Sequence, residues 1–193
     1  MIADRGLNHV IDPVGARRHM SRGGRDMVEA LLGPACVDPD QDLADFRARY
    51  SRYVTPADSL FPGVAESLEQ LRAIGLQLGI CSNKPQALCD KVLADTALAP
   101  FFSAVVGGQP NLLPKPAPDL LVSLSKKLGC GPYECIYVGD SELDHDVARA
   151  AGMAFYFLTY GYAEPGWEPE VGESFECFPS LTTAIAARAS QHV

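Results

Sequence analysis

The sequence predicts an α/β protein with a Rossmann-like parallel sheet core and a small helical unit ahead of it. From residue 61 onward, short apolar runs alternate with amphipathic stretches, a succession typical of a parallel sheet covered by helices on both faces. Within residues 1–58 the apolar side chains follow helical spacing instead, as in Met27, Val28 and Leu31. In addition, two predicted strands end in short polar turns, the place where open α/β sheets bind ligands.

Each element of the second region has its own signal. Strands are predicted where apolar, β-branched or aromatic residues run together between turn residues, and helices where apolar residues recur every three or four positions. Gly152 is expected to end one of these helices. The predicted strands are 76–81, 103–106, 134–138 and 154–158, and the predicted helices are 64–74, 86–94, 117–128, 141–151 and 181–189.

Composition limits the classes of partner. The 193 residues carry a formal net charge of −8, which disfavours nucleic acids and anionic membranes because both require a basic surface. No apolar run is long enough to span a bilayer. Six cysteines without zinc-type spacing, and no signal peptide, favour a soluble cytoplasmic protein with reduced thiols. The cysteines are Cys36, Cys81, Cys89, Cys130, Cys135 and Cys177.

A carboxylate pair, Asp140 and Asp144, marks the turn after the strand predicted at 134–138. Gly139 ends that strand, and helical spacing begins at Ser141, so both carboxylates fall at a strand-to-helix turn. Such oxygens suit Mg2+, which keeps several waters and binds through one or two carboxylates. The alternative is an acidic pair that only complements the helix dipole.

Two further polar segments carry candidate phosphate-binding groups. Ser82, Asn83 and Lys84 follow a strand and precede a helix, where a hydroxyl, an amide and free backbone N–H groups converge at a positive helix end. The alternative is that Ser82 only caps that helix. Lys115 lies between Pro114 and Pro116, which restrict its backbone and hold the ammonium in one place. The alternative is a rigid loop with a solvated lysine.

In this order and spacing the chain resembles the haloacid dehalogenase superfamily of phosphohydrolases, and within it the phosphoglycolate phosphatases. The likeness covers about residues 5–165. It implies a helical cap at 1–58 and a Rossmann-like core at 59–193. The segments that carry the likeness are Leu60-Phe61-Pro62-Gly63-Val64, Cys81-Ser82-Asn83-Lys84-Pro85, the run from Phe101 to Gly108, Leu113-Pro114-Lys115-Pro116, the Asp140 turn and Thr159-Tyr160-Gly161-Tyr162.

The resemblance implies a role for each matching residue. Ser82 corresponds to the hydroxyl that hydrogen-bonds the transferring phosphoryl group, with Asn83 and Lys84 beside it. Lys115 corresponds to the lysine that offsets negative charge. Asp140 corresponds to the direct Mg2+ ligand, and Asp144 corresponds to the carboxylate that holds metal-bound water or the lysine. The predicted metal residues are therefore Asp140 and Asp144. The predicted catalytic residues are Ser82, Lys115 and Asp140.

The arginine-rich run from Arg17 to Arg25 corresponds to a glycine-containing turn of the family's cap. Arg22 and Gly23 are therefore predicted to contact substrate, because a guanidinium can bind a substrate carboxylate in bidentate fashion. The alternative is a solvated basic edge of a helix.

The family's first motif, a strand followed by D-x-D-G-T, does not occur in the sequence. Asp38-Pro39-Asp40 and Asp40-Gln41-Asp42 resemble it only in spacing and are predicted to form a solvated acidic loop and helix start. Because the resemblance implies that an ordinary member has further residues ahead of Met1, including the first core strand, we expect two interior sheet edges to be unpaired. The expected results are low stability, a gap that closes, or an edge paired with another chain.

The inherited activity implied by the resemblance is Mg2+-dependent hydrolysis of a small phosphorylated metabolite, with 2-phosphoglycolate as the leading candidate. Without the nucleophilic aspartate, we expect this chain to be inactive or impaired and to bind Mg2+ weakly. One alternative is a non-catalytic remnant that binds phosphate or a partner. Another is a sibling enzyme, either a haloacid dehalogenase or a sugar-phosphate mutase. A homo-oligomer is compatible with the sequence.

Overall fold

The computed structural model describes residues 1–21 and 23–190, except for the side chains of Pro13 and Arg18. The chain forms two compact units, Met1–Val54 and Thr55–Val193. The assignment of the first as a cap and the second as a catalytic core stays a prediction.

The first unit is helical. It consists of α1 (Pro13–Met20), α2 (Gly24–Leu32) and α3 (Pro39–Tyr50). α1 and α3 begin with a proline after an aspartate that caps the helix, and the Asp38 carboxylate accepts hydrogen bonds from the amides of Asp40 and Gln41 at 3.1 and 3.2 Å. Val28, Leu32 and Ala35 form the buried centre of this unit.

Asp42 corrects one sequence-based expectation. It was predicted to lie in a solvated acidic segment, but the residue is only 1 % exposed. Its carboxylate pairs with the guanidinium of Arg5 and accepts a hydrogen bond from the Val37 amide at 3.0 Å. The pattern D-x-D could not reveal this, because the neutralising cation lies far away in the sequence.

The second unit alternates helices and strands, as predicted. Its elements are α4 (Val64–Ala73), β1 (Gly79–Pro85), α5 (Gln86–Asp95), β2 (Ala104–Gly108), α6 (Asp119–Leu128), β3 (Ile136–Gly139), α7 (Glu142–Ala151), β4 (Ala154–Leu158), β5 (Glu173–Phe175) and α8 (Phe178–Ser190). The α/β class is thereby confirmed. β1 begins three residues later than predicted and continues through the polar segment to Pro85. The short strand β5 was not predicted.

The strands form two parallel sheets. β1 pairs with β2, with Ile80 opposite Val105, and β3 pairs with β4, which also pairs with β5. Among the described residues, β1 and β3 each have one neighbouring strand. A cavity of about 1110 Å³ has residues of both strands in its wall, including Ile80 and Val138. The two strand edges that the resemblance implied to be unpaired therefore line a cavity, and the closed gap named among the expected results is not found in the described residues.

Apolar layers fix the helices against these strands. One buried cluster contains Val106, Leu120, Leu124 and Val147, which join β2, α6 and α7. α5 lies so close to β2 that a Cβ on Gly107 would stand 2.6 Å from the Cα of Gln86. Only a glycine permits this approach.

The only tryptophan of the sequence, Trp167, packs in the loop between β4 and β5. Its ring centroid lies 5.6 Å from that of His145, on α7, and 5.0 Å from that of Phe157, on β4. The loop is thus attached to the first turns of α7 through aromatic contacts.

Candidate active site

The site begins with an asparagine that holds the loop of the predicted lysine. The Lys115 amide donates to Asn83 Oδ1 at 2.7 Å, and Asn83 Nδ2 donates to the Lys115 carbonyl at 3.2 Å. One side chain at the end of β1 therefore satisfies both backbone groups of Lys115. Asn83 was predicted to bind substrate, but in this structure its amide is engaged in positioning the lysine.

The ammonium of Lys115 is directed to the first turn of α7. Nζ lies 2.6 Å from Asp144 Oδ1 and 3.1 Å from the Tyr137 hydroxyl, which itself donates to Asp144 Oδ1 at 3.0 Å. The side chains of Lys115 and Asp144 are 10 % and 7 % exposed. The structure thus brings together two residues that are 29 positions apart, and the Lys115 side chain is not the solvated lysine of the alternative.

The second oxygen of Asp144 closes the strand-to-helix turn. Oδ2 accepts a hydrogen bond from the Asp140 amide at 3.2 Å and from Ser141 Oγ at 2.7 Å. Both oxygens of this carboxylate are consequently engaged by protein groups. Asp144 is therefore placed to hold Lys115 and to fix the turn.

Asp140 sits beside Asp144 in a crowded turn. Its carbonyl accepts hydrogen bonds from the amides of Tyr162 at 2.8 Å and Ala163 at 3.0 Å. Gly161 packs against its side chain, and a Cβ at that position would overlap the Asp140 Cβ. Gly139 is similarly constrained, because a Cβ added at this position would lie 2.6 Å from the Cγ of Asp144.

The two carboxylates have opposite pKa shifts. Burial and the negative charge of Asp144 raise the pKa of Asp140 to about 6. Burial also disfavours ionisation of Asp144, but the Lys115 ammonium and the hydrogen bonds from Lys115 and Ser141 outweigh it and lower the pKa of that carboxyl. Such separation of two adjacent acids is typical of functional sites.

Ser82 and Lys84 lie at the end of β1, next to Asn83. Ser82 Oγ accepts a hydrogen bond from the Lys84 amide at 3.1 Å. Pro85 is the N-cap residue of α5, and no side chain caps that helix, so Ser82 does not have the capping role of the alternative. The Ser82 hydroxyl fixes the local turn in this structure.

The predicted substrate residues of the first unit are Arg22 and Gly23. Arg22 lies outside the described residues. Gly23 precedes α2 with φ of +64°, a left-handed conformation that favours glycine. Their role in substrate contact stays a prediction.

The sequence reasoning missed Tyr137 and Gly161. Tyr137 is on β3, and burial together with the neighbouring Asp144 raises the pKa of its hydroxyl well above the ordinary value. Its position two residues before Gly139 was the available signal, because alternate strand residues share a face. Gly161 lies in a segment that carries the family likeness, but its packing against Asp140 is a contact between distant parts of the sequence, which that likeness did not specify.

Metal ligands are few. No group of three or more histidine, cysteine, aspartate or glutamate side chains in the described ranges could hold an ion. Asp144 has both oxygens engaged, so Asp140 is the carboxylate that fits a direct ligand. This donor set suits an ion that keeps waters and shares a phosphate ligand, as Mg2+ does.

The family model for haloacid dehalogenase-like hydrolases matches residues 8–158, which include every element from α1 to β4. The chain belongs to the haloacid dehalogenase-like hydrolase family. Its α/β fold and the order of its polar turns agree with this membership.

Curated relatives within the family are phosphoglycolate phosphatases. The plasmid-encoded enzyme of Cupriavidus necator is 34 % identical over 173 residues, which cover 85 % of this chain and 75 % of the relative. The enzyme of Shigella boydii is 39 % identical over 150 residues, covering 74 % of this chain. That alignment spans 60 % of the Shigella protein.

Solved structures share the fold. A predicted phosphoglycolate phosphatase from Haemophilus somnus superposes with a TM-score of 0.79 at 24 % identity, covering 95 % of this chain and 86 % of that one. CbbY from Rhodobacter sphaeroides, in complex with phosphate, gives a TM-score of 0.74 at 19 % identity, covering 93 % of this chain and 84 % of that one.

In the described part of this chain, no helix is both long enough and apolar enough to cross a membrane.

Proposed function

We propose that the inherited function of this family member is Mg2+-dependent hydrolysis of a phosphomonoester, and that the substrate is 2-phosphoglycolate. The observation that carries the proposal is the buried ion pair of Lys115 and Asp144 beside Asp140, at the carboxyl ends of β1 and β3. The names of the curated relatives support the substrate. The six free cysteines support a cytoplasmic location.

In the proposed mechanism Lys115 offsets negative charge on the phosphate. Phosphoryl transfer spreads charge over three equatorial oxygens, so catalysis depends mainly on positioned positive charge. Asn83 and Asp144 hold the lysine from its backbone and its ammonium, which fixes that charge before substrate arrives. Ser82 Oγ donates to a phosphate oxygen, and Lys84 adds a second cation at the same strand end.

Asp140 would hold Mg2+ through its carboxylate, and Asp144 would orient Lys115 and the turn. Bound Mg2+ supplies charge neutralisation and orientation at the phosphate. Arg22 and Gly23 are proposed to contact the carboxylate of the substrate.

We further propose that the 193-residue chain alone has impaired turnover. Each of the D-x-D aspartates is engaged elsewhere, since Asp38 caps α3, Asp40 pairs with Arg25 at 3.0 Å, and Asp42 is buried against Arg5. Asp38 and Asp42 are therefore not free to attack phosphorus, and Asp40 lies in a surface pair. The lack of D-x-D-G-T also favours a second candidate, a chain that binds phosphate without hydrolysing it.

The decisive experiment measures phosphate release from 2-phosphoglycolate with and without Mg2+. We expect weak, Mg2+-dependent release that is lost in Asp140→Asn. Asp146→Asn is the matched control, because Asp146 lies on α7, the helix that follows Asp140, and its side chain is 51 % exposed. Equal release by both variants would contradict the assigned site.

Phosphate binding separates the second candidate from the first. If calorimetry detects phosphate binding that depends on Lys115 while turnover is absent with Mg2+ present, the non-catalytic function is correct. A panel that includes a haloacid and a sugar phosphate tests the sibling activities.

A further inference from the structure

Two cysteines outside the candidate site have their sulfurs in contact. Cys130 Sγ and Cys135 Sγ lie 3.0 Å apart, and both thiols are free in this structure. Cys130 follows the end of α6, and Cys135 directly precedes β3. The contact therefore joins the segments that link these two elements.

The turn between the two cysteines is fixed by backbone hydrogen bonds. The Cys130 amide donates to the Ser125 carbonyl at 3.1 Å, and the Cys135 amide donates to the Pro132 carbonyl at 3.2 Å. Between them, the Glu134 carboxylate accepts from the Gly131 amide at 2.7 Å. Folding thus holds the sulfurs together, so little further ordering is needed to join them.

Access and packing also suit a reaction between the thiols. Both residues are half-buried, whereas Cys89 is buried. Cys135 Sγ and Cys130 Sγ contact the Gly131 and Ser125 carbonyls at 3.3 and 3.6 Å, so both sulfurs are held by neighbouring backbone groups.

We propose that Cys130 and Cys135 form a reversible intramolecular disulfide when the protein meets a disulfide oxidant such as glutathione disulfide. The Cys130 thiolate attacks one sulfur of the oxidant, forming a mixed disulfide and expelling a glutathione thiolate, which takes up a proton. The Cys135 thiolate then attacks the Cys130 sulfur and expels the second glutathione. Two protein thiols are oxidised, and the oxidant is reduced to two thiols.

The order of these steps follows from the surroundings of Cys135. Burial, together with the neighbouring Cys130 thiol, raises the pKa of Cys135 to about 12. Cys135 is therefore disfavoured as the first nucleophile. Once Cys130 is in the mixed disulfide, its thiol no longer raises the pKa of Cys135, while burial still does.

The disulfide would join the end of α6 to the start of β3, at the end of that strand opposite Asp140. A covalent link there limits the unfolded chain without touching the site, so we expect higher thermal stability and unchanged site chemistry. The oxidised protein should therefore have a higher melting temperature than the reduced protein.

Peptide mapping provides the test. Purified protein is equilibrated with glutathione disulfide, remaining thiols are alkylated, and the protein is digested with trypsin. Cleavage after Lys127 and Arg149 releases residues 128–149, which contain Cys130 and Cys135 and no other cysteine. We expect this peptide to be two hydrogens lighter and unalkylated, and dithiothreitol to restore two alkylation sites.

Variants make the result specific. Cys135→Ser should accumulate the glutathione adduct at Cys130, while Cys177→Ser, which alters an exposed cysteine, should form the disulfide as the wild type does. The melting temperature of wild type should rise on oxidation by a few degrees, on the order of 4 °C, and that of Cys130→Ser/Cys135→Ser should not. Full alkylation of residues 128–149 after oxidation, or glutathione adducts on both cysteines, would overturn the proposal.

Discussion

Lys115 is the residue on which the site geometry depends, because its backbone and its ammonium are fixed by different side chains. Asn83 binds the backbone, and Asp144 binds the ammonium. The prolines around Lys115 predicted a restrained backbone. They could not predict the partners, since Asn83 and Asp144 lie in other elements and meet Lys115 only in the folded chain.

A double-mutant cycle should detect this pair. Asp144→Asn leaves a mostly buried ammonium without its carboxylate, so we expect a loss of about 3 kcal/mol in the free energy of unfolding. Lys115→Met should also destabilise, and the double variant should lose less than the sum by about 1 kcal/mol or more. Urea denaturation measures all four proteins. Additive losses would mean that the two charges do not interact.

Gly161 allows a second test at the same scale. Gly161→Ala places a Cβ on the side chain of Asp140, so we expect a loss of about 1–3 kcal/mol of stability and a displaced carboxylate. Gly131→Ala is the control, because its Cβ would meet only the end of the Glu134 side chain at 3.3 Å. The melting temperature of Gly161→Ala should be lower than that of Gly131→Ala. Equal melting temperatures would show that the turn accommodates the added Cβ without a loss of stability.

At the scale of elements, hydrophobic periodicity predicted the helices and strands of the second unit within a few residues. β1 was misplaced because Leu76 and Leu78 pack against the core before the strand begins, and apolar character alone cannot separate these states. β5 has the polar sequence Glu-Ser-Phe, and its strand conformation depends on pairing with β4. Such a strand has no local signal.

Helix α3 carries a pH-dependent contribution to stability. Arg5 holds the pKa of Asp42 well below its ordinary value near 3.8. Asp42 is thus ionised in the folded state, and its contribution is present above about pH 4 and lost as the pH falls toward the lowered value. We expect Asp42→Asn to be less stable than wild type at pH 7 and to lose less stability between pH 5 and pH 3.

Urea denaturation at several pH values measures this difference. Asp40→Asn is the control, because that side chain is 70 % exposed and pairs with Arg25 at the surface. It should follow the wild-type profile. A parallel profile for Asp42→Asn would assign the acid sensitivity to other carboxylates.

At the scale of the whole molecule, the two sheets leave one edge of β1 and one edge of β3 beside the large cavity. The sequence predicted these edges only through the family resemblance, because strand pairing is a long-range property. Successive amides of a parallel strand bond alternately to its two neighbours. We therefore expect alternate amides of β3 to exchange hydrogen rapidly, whereas Tyr156 and Phe157 of β4, which have partners in both β3 and β5, are protected.

Amide exchange followed by NMR measures each position. The amides of Tyr156 and Phe157, which lie between β3 and β5, provide the internal control. Slow exchange at every amide of β3 would contradict the prediction and would mean that another strand covers this edge in solution.

The packing of Trp167 makes the intrinsic tryptophan fluorescence of this protein a probe of the acidic turn. Because the chain has one tryptophan and its ring touches His145, the residue after Asp144, its emission arises from a single place adjoining the acidic turn. Any event that shifts this turn changes the surroundings of the indole. Fluorescence titration can therefore follow ligand binding at the Asp140 turn without an added label, even when the ligand is bound but not hydrolysed.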